Sequence, residues 1–250
     1  MKLIVLGSGG WIPTDRRETC TYLLDTGKSI ILIDTGTGIS NLFAYETIVN
    51  KYDTIHIIYT HYHHDHLCGL AYLPCWTKGK NLFFYGAGEK FYGKNCIDIL
   101  QDYTNQPYFV RPLMQYAENI TVTNFSEKSI TIDNLHLQFI EVQHSSPCFA
   151  VLVEGFFLFA TDTVVLENIF STAASVKYLL HECWNLEDTR IHGHSSAHEL
   201  KEMLQKYPQI NLKLIHANPS NSMDKEAEIE NFFQPDFMVK FLNDGDVLEF

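Results

Sequence analysis

The sequence predicts an α/β protein in which two β-sheets pack face to face, with helices on their outer sides. The main observation is that strand patterns crowd into two parts of the chain, and that helical patterns flank both parts. A second observation is that no low-complexity segment, solenoid repeat or Pro/Ser/Gly-rich linker interrupts the 250 residues. We therefore expect a single domain over residues 1–250.

The N-terminal part predicts strands, tight turns and a helix in alternation. Short apolar runs bounded by glycines and polar residues are typical of strands, and Thr26-Gly27 suits a hairpin. The predicted strands are Lys2–Leu6, Cys20–Leu24, Ser29–Ile33 and Thr54–Tyr59. Helical patterns cover about 40–50 and Glu89–Leu100, and residues 103–117 indicate an irregular aromatic loop.

The remainder of the chain predicts a succession of strands and then a second alternation. Residues 120–159 contain alternating and continuous apolar runs, as strands of a half-buried or buried sheet do. The later predicted elements are strand Val176–Leu180, helix Ser196–Lys206, strand Asn211–Ile215 and helix Asp224–Phe233.

Composition narrows the class of function. The 30 acidic residues exceed the 18 basic ones, giving a formal charge of −12, which disfavours binding of extended nucleic acid but leaves a small anion as substrate. Six scattered cysteines without a Cys-x-x-Cys pair favour reduced thiols. No apolar stretch is long enough to cross a bilayer, so we expect a cytoplasmic protein without a membrane partner.

The strongest chemical signal follows the strand that ends at Tyr59. The segment His61-Tyr62-His63-His64-Asp65-His66 offers more nitrogen and oxygen donors than one tetrahedral ion needs, which points to two ions. His64 lies at a variable position of the pattern, so its side chain should turn away.

The spacing His61-x-His63-x-Asp65-His66 resembles the motif of the metallo-β-lactamase superfamily, whose members share a four-layer αβ/βα sandwich with metals at one edge. Further segments resemble later ligand positions of that superfamily: Val142-Gln143-His144, Thr161-Asp162-Thr163 and Leu214-Ile215-His216. The resemblance implies that one ion binds His61, His63 and His144. It implies that the second binds Asp65, His66 and His216, with Asp162 as the bridge.

Other features are similar to the ribonuclease Z and phosphodiesterase branch. His181-Glu182-Cys183-Trp184 resembles its His-Glu-Ala-Thr segment, and Gly193-His194-Ser195-Ser196 resembles its Gly-His-Ser-Thr segment. The resemblance implies that His194 contacts the scissile phosphate and the leaving oxygen, and that Glu182 orients it. Ser196 and Glu199 form a capping-box pattern, which places His194 just before a helix N-terminus that favours anions. His181 and the loop 103–117 stay open as contributors.

These features predict a metal-dependent hydrolase in which a hydroxide held between two divalent ions attacks phosphorus. Asp65 would accept a hydrogen bond from the nucleophile, and His194 would protonate the leaving alkoxide. Zinc is the first expectation for the ions, with manganese and iron open. A homodimer is also left open.

The substrate expectation rests on a short segment. Only 17 residues separate His144 from Asp162, where tRNA-processing relatives carry a long arm, so a small or nucleotide-like phosphodiester is favoured over tRNA 3′-processing. The alternatives are a thioester or lactone hydrolase of the same fold and a non-enzymatic binding protein in which the metal site is purely structural.

Overall fold

The structure, a computed structural model, describes residues 1–125, 129–187 and 193–250. The chain forms two compact units. Unit 1 comprises Met1–Gly7, Arg16–Glu127 and Asp244–Phe250, and unit 2 comprises Ser8–Asp15 and Lys128–Asn243. The expectation of a single domain over 1–250 stays a prediction.

Unit 1 is built on a mixed sheet of seven described strands in the order β14-β1-β2-β3-β4-β5-β6. Its strands are β1 (Lys2–Gly7), β2 (Thr21–Asp25), β3 (Ile30–Ile33), β4 (Thr54–Ile58), β5 (Asn81–Gly86), β6 (Asn119–Asn124) and β14 (Val247–Glu249). Strands β14 to β3 pair antiparallel, with the predicted hairpin turn at Gly27, and β3 to β6 pair parallel. Strands β2 and β3 are almost wholly buried because their residues are apolar on both faces.

The helices of unit 1 are short. They are a 3₁₀ helix (Thr37–Tyr45) leading into α1 (Glu46–Val49), α2 (His64–Leu67), a 3₁₀ helix (Cys68–Cys75), α3 (Glu89–Tyr92), α4 (Cys96–Thr104) and a 3₁₀ turn (Leu113–Gln115). The helix predicted over Glu89–Leu100 is divided, because Gly93 adopts φ = 64° and ends α3 in the left-handed conformation. The rest of 105–117 is irregular, as predicted.

Unit 2 is built on a second mixed sheet of seven described strands in the order β13-β12-β11-β10-β9-β8-β7. Its strands are β7 (Ser129–Ile132), β8 (Leu135–Val142), β9 (Cys148–Val153), β10 (Phe157–Ala160), β11 (Tyr178–Glu182), β12 (Leu212–Ile215) and β13 (Lys240–Phe241). Its helices are α5 (Glu167–Ala173), α6 (Ala197–Lys206) and α7 (Met223–Phe233). Strands β9 and β10 with a turn at Gly155 fill the segment between His144 and Asp162, so that segment has no arm.

Parallel pairing in unit 2 brings several strand ends to one edge. Strands β10, β11, β12 and β13 run parallel, and β8 has the same direction as β10 because both pair antiparallel with β9. The pairs Ala160↔His181 and Glu182↔Ile215 extend β11 two residues beyond the predicted end at Leu180. Residues at the carboxyl ends of these strands therefore lie at the same edge of the sheet, which is the usual ligand edge of such sheets.

Each unit has its own apolar core. In unit 1, leucines and isoleucines of β1 to β5 pack with Leu67, Leu70 and Leu100. In unit 2, residues of β8 to β12 pack with Phe170, Leu200 and Phe233 of the helices. The predicted α/β class with two mixed sheets is confirmed. Within the described residues, no helix has both the length and the hydrophobicity that a bilayer crossing requires.

Candidate functional site

The predicted ligands of unit 1 lie together after β4. His61 follows β4 by three residues, His63 is in extended backbone, and α2 then begins at His64, so Asp65 and His66 are on its first turn. The His61 ring centroid lies 4.5 Å from that of His63 and 4.2 Å from that of His66, and His66 Nε2 is 3.4 Å from Asp65 Oδ2. The side chain of His64 turns to the Tyr103 hydroxyl, 3.2 Å from its Nδ1, as its position in the motif predicts.

A buried carboxylate, which the sequence reasoning missed, holds this cluster in place. Asp34 follows β3 and is fully buried. Its Oδ2 lies 2.7 Å from His66 Nδ1 and accepts the Thr60 hydroxyl at 2.8 Å, while Oδ1 accepts the Thr60 amide at 2.8 Å. The Thr60 hydroxyl is also 3.1 Å from His61 Nδ1. The available signal was an acidic residue at the end of a buried strand that is parallel to the strand before the motif.

The predicted ligands of unit 2 also lie together. His144, Asp162 and His216 follow β8, β10 and β12, whose carboxyl ends share one sheet edge. Asp162 faces both histidines with different oxygens: Oδ1 is 3.7 Å from His144 Nε2 and Oδ2 is 3.2 Å from His216 Nε2. The two oxygens of the carboxylate therefore face two different imidazoles.

The His216 ring needs a glycine beside it. A Cβ at Gly10 would lie 2.3 Å from His216 Cε1, closer than real side chains approach. Two backbone hydrogen bonds join the segments, from the Gly10 amide to the Ala217 carbonyl at 3.0 Å and from the Ala217 amide to the Ser8 carbonyl at 3.0 Å. Gly10 thus allows the ring to lie against the N-terminal segment, a role that the sequence alone did not reveal.

His194 and Glu182 form the predicted pair in unit 2. His194 Nδ1 is 3.0 Å and 3.1 Å from the two oxygens of Glu182, a fully buried carboxylate that also accepts the Thr163 amide at 2.6 Å. The nitrogens of His194 and His216 and the carboxylate of Asp162 offer one donor atom each, all within 4.8 Å of one another. The pair therefore lies next to the predicted ligands of unit 2.

A sequence profile of the family described as Anti-Pycsar protein Apyc1 matches residues 1–236. The chain belongs to this family. The match covers both strand-rich parts of this chain and all of its predicted metal ligands, from His61 to His216.

Similar proteins agree on the fold. The probable metallo-hydrolase YhfI of Bacillus subtilis is 24% identical over 226 residues, covering 86% of each chain. Its crystal structure superimposes with a TM-score of 0.76 at 21% identity, over 100% of this chain and 98% of YhfI. A diphosphatase of the PhnP family gives a TM-score of 0.76 at 18% identity, over 100% of this chain and 97% of that one. The predicted metallo-β-lactamase fold is confirmed.

A third relative is matched only in part. The ribonuclease Z of Thermococcus sibiricus is 28% identical over 152 residues, which cover 59% of this chain. The matched residues span 45% of that enzyme, so this chain covers less than half of the enzyme's length.

The predicted ligands of this chain have side chains that suit divalent transition metals. Imidazole and carboxylate donors suit zinc, manganese and iron. The Nδ1 atoms of three predicted ligands lie by fixed groups: His61 by Thr60, His66 by Asp34, and His144 by the Gly193 carbonyl at 3.2 Å. Such contacts orient the opposite nitrogen, Nε2, towards a metal. Burial lowers the pKa of His144 although Asp162 raises it, which favours the neutral imidazole that metals bind.

His181 has a structural environment. It is fully buried in β11, its Nδ1 lies 2.8 Å from the Glu182 carbonyl, and its ring lies 5.8 Å from that of Phe170. Burial lowers its pKa, so the neutral form is favoured. These contacts place His181 in the core under α5.

Proposed function

We propose that this chain is a metal-dependent hydrolase, and specifically a phosphodiesterase that cleaves a small, cyclic or otherwise nucleotide-like phosphodiester in the cytoplasm. The observation that carries the proposal is the contact between His194 and Glu182 beside Asp162 and His216. A buried carboxylate that fixes one nitrogen of an imidazole is what a proton donor or phosphate-binding histidine requires. A lactone or thioester hydrolase would leave this pair without a task.

The proposed metal ligands are the seven side chains that the sequence predicts, with Asp162 as the bridge between two divalent ions. They are His61, His63, Asp65, His66, His144, Asp162 and His216. Support comes from the clustering of four of them in unit 1 and three in unit 2, and from the two oxygens of Asp162 that face different histidines. Zinc is the ion that we propose first, with manganese and iron as alternatives.

Each catalytic residue has a defined task in this proposal. Bound divalent ions supply an activated water and positive charge for the nonbridging phosphate oxygens. Asp65 accepts a hydrogen bond from the attacking water, and His194 gives the proton of Nε2 to the leaving oxygen while Glu182 holds Nδ1. Helix α6 begins at Ala197, close to His194 in the chain, and the positive end of its dipole favours a phosphate.

The proposed substrate is small for two reasons. The formal charge of −12 repels a polyanion over most of the surface, and β9 and β10 leave no room for an arm between His144 and Asp162. Among similar proteins, one is named a diphosphatase and others are named ribonuclease Z, and both names concern phosphate esters or anhydrides. A homodimer of this chain remains compatible with the proposal.

Substrate panels separate the candidate functions. Metal-loaded protein is offered bis(p-nitrophenyl) phosphate, 2′,3′- and 3′,5′-cyclic nucleotides, a precursor tRNA, a lactone and a glutathione thioester. We expect turnover of the small phosphodiesters. Turnover of only the lactone or thioester would assign the second enzyme class, turnover of precursor tRNA alone would assign tRNA processing, and no turnover at all would leave a metal-stapled binding protein.

Substitution of His194 tests its catalytic role. In His194→Ala we expect retained metal and a loss in kcat of roughly 10²-fold for a cyclic nucleotide. The matched control is His198→Ala, because His198 is in the first turn of α6 and is 47% exposed, with its Nε2 3.5 Å from the exposed Glu187. Equal activity of the two variants would contradict the assignment, and loss of metal from His194→Ala would make this histidine a ligand.

A further inference from the structure

Trp184 covers one face of the His194 ring. The two ring centroids are 4.3 Å apart and the rings are nearly parallel, at 11°. The His144 ring meets His194 edge-on at 5.4 Å, and Glu182 holds its Nδ1. The orientation of the His194 imidazole is thus set by a carboxylate at one nitrogen, a ring against its face and a ring at its edge.

The backbone that carries the indole is held by hydrogen bonds. Two parallel segments carry the pair, and the Trp184 amide donates to the Ser195 carbonyl at 3.0 Å. The Asn221 side chain donates to the Trp184 carbonyl at 3.1 Å, and the Ser195 hydroxyl donates to the Glu182 carbonyl at 2.7 Å. The Trp184 and His194 rings therefore stack between two neighbouring segments that hydrogen bonds hold together.

The position of Trp184 in the chain makes it distinctive. It stands in the segment His181-Glu182-Cys183-Trp184, at the place where the ribonuclease Z motif that this segment resembles has a threonine. A threonine has no flat face to stack on an imidazole. The residue also lies against a second proposed functional ring, with a centroid distance of 5.7 Å to His216.

We propose that Trp184 is a positioning residue that keeps the His194 imidazole in the plane needed to protonate the leaving oxygen. The inference rests on the proposed phosphodiesterase function and deepens it. In the step concerned, the oxygen of a water bonds to phosphorus while the water releases one proton to solvent, and the bond from phosphorus to the leaving oxygen breaks with its electron pair on that oxygen. The leaving oxygen takes the proton from His194 Nε2, and solvent protonates His194 again after product release.

Leaving-group dependence isolates this role. A p-nitrophenolate departs without a proton, whereas an alkoxide needs one, so a misaligned proton donor slows only the second class. Bis(p-nitrophenyl) phosphate and a 3′,5′-cyclic nucleotide provide the two classes. Trp184→Leu removes the flat ring but keeps an apolar side chain, and Trp184→Phe keeps a flat ring.

In Trp184→Leu we expect kcat for the cyclic nucleotide to fall by about tenfold or more, with KM and metal content unchanged and with bis(p-nitrophenyl) phosphate within about twofold of wild type. Trp184→Phe should recover most of the loss. If Trp184→Leu does not fold, as judged by circular dichroism and metal content, Trp184→Met serves as the ring-free variant of more flexible shape.

Three outcomes overturn the inference. They are an equal loss for both substrates, an unchanged kcat for the cyclic nucleotide, and a rise in KM alone, which would make Trp184 a substrate contact. Failure of the proposed function is recognised separately, because the wild-type protein would then turn over neither phosphodiester.

Discussion

Three residues of the candidate site adopt backbone conformations that L-residues rarely use. Asp34, Asp162 and His216 have φ of 57°, 48° and 51°. Asp34 and His216 directly follow β3 and β12, and Asp162 comes two residues after the end of β10. Such conformations cost of order 1–3 kcal/mol each and persist where the surroundings fix them. Here the cost falls on two predicted ligands and on the carboxylate that contacts His66, whose side chains leave the strand direction at a defined point.

Asp34 provides the first residue-scale prediction. In Asp34→Asn the amide nitrogen must replace one oxygen, although both oxygens accept hydrogen bonds from Thr60 and Oδ2 also contacts His66. We expect a loss of stability of about 1–3 kcal/mol from the buried mismatch and a weakening of metal affinity by roughly 10- to 100-fold. Urea denaturation of chelated protein and competition with a chromophoric chelator measure the two effects.

The matched control for that substitution is Asp102→Asn. Asp102 is 60% exposed and pairs with the exposed Lys94 at 2.8 Å, so the same chemical change should leave stability and metal affinity close to wild type. An unchanged metal affinity in Asp34→Asn would show that the contact with His66 does not orient that ligand.

At the residue scale, the sequence predicts the metal ligands better than the residues that hold those ligands in place. The spacing of His61, His63, Asp65 and His66 is visible within six residues, so the motif is local. Asp34 contacts His66 across 32 positions of the chain, and Gly10 meets His216 across more than two hundred. Such roles depend on which strands become neighbours, and a single sequence does not specify those neighbours.

At the scale of elements, the two longest α-helices of the described residues, α6 and α7, begin with side-chain caps. The Ser196 hydroxyl accepts the Glu199 amide at 3.3 Å, and Glu199 Oε2 accepts the Ser196 amide at 3.1 Å, which completes the predicted capping box of α6. Ser222 accepts the Lys225 amide at 3.2 Å and caps α7. Both caps satisfy amides that the first helical turn leaves without helical partners.

These caps allow a matched pair of substitutions. Ser196→Ala and Ser222→Ala should each lower the free energy of unfolding by about 1 kcal/mol, measured in urea. Only Ser196→Ala should also lower kcat by several-fold, because His194 precedes that cap by two residues and α7 carries no proposed catalytic group. Equal kcat for both variants would show that the cap of α6 does not help to position His194.

Element boundaries show where sequence patterns stop being informative. The amphipathic pattern of Glu89–Leu100 is continuous, but Gly93 ends α3 because glycine adopts the left-handed conformation without a steric cost. Strand β11 reaches Glu182 because its pairs with β10 and β12 continue past the apolar run. Type and order of these elements follow from periodicity, whereas their ends follow from tertiary partners.

At the scale of the whole molecule, the proposed metal ligands are divided between two compact units, four in unit 1 and three in unit 2. The chain is also strongly acidic, with a formal charge of −12. Divalent ions bound by native ligands stabilise the folded state by mass action, about 2.7 kcal/mol when the free ion is at 100 times its Kd. Ions that only screen the acidic surface act weakly, and salt reduces their effect.

The thermal transition distinguishes these two ways of binding. We expect chelation to lower Tm of the wild-type protein and added Zn²⁺ at 0.15 M salt to restore it. His63→Ala in unit 1 and His216→Ala in unit 2 should each abolish most of the Zn²⁺-dependent rise, because each removes one proposed ligand. His136→Ala is the control, since His136 is 44% exposed on β8 and lies outside the proposed ligand set. A rise in Tm that survives both ligand substitutions, or that Mg²⁺ reproduces in all four proteins, would mean that the stabilisation comes from the acidic surface and not from these histidines.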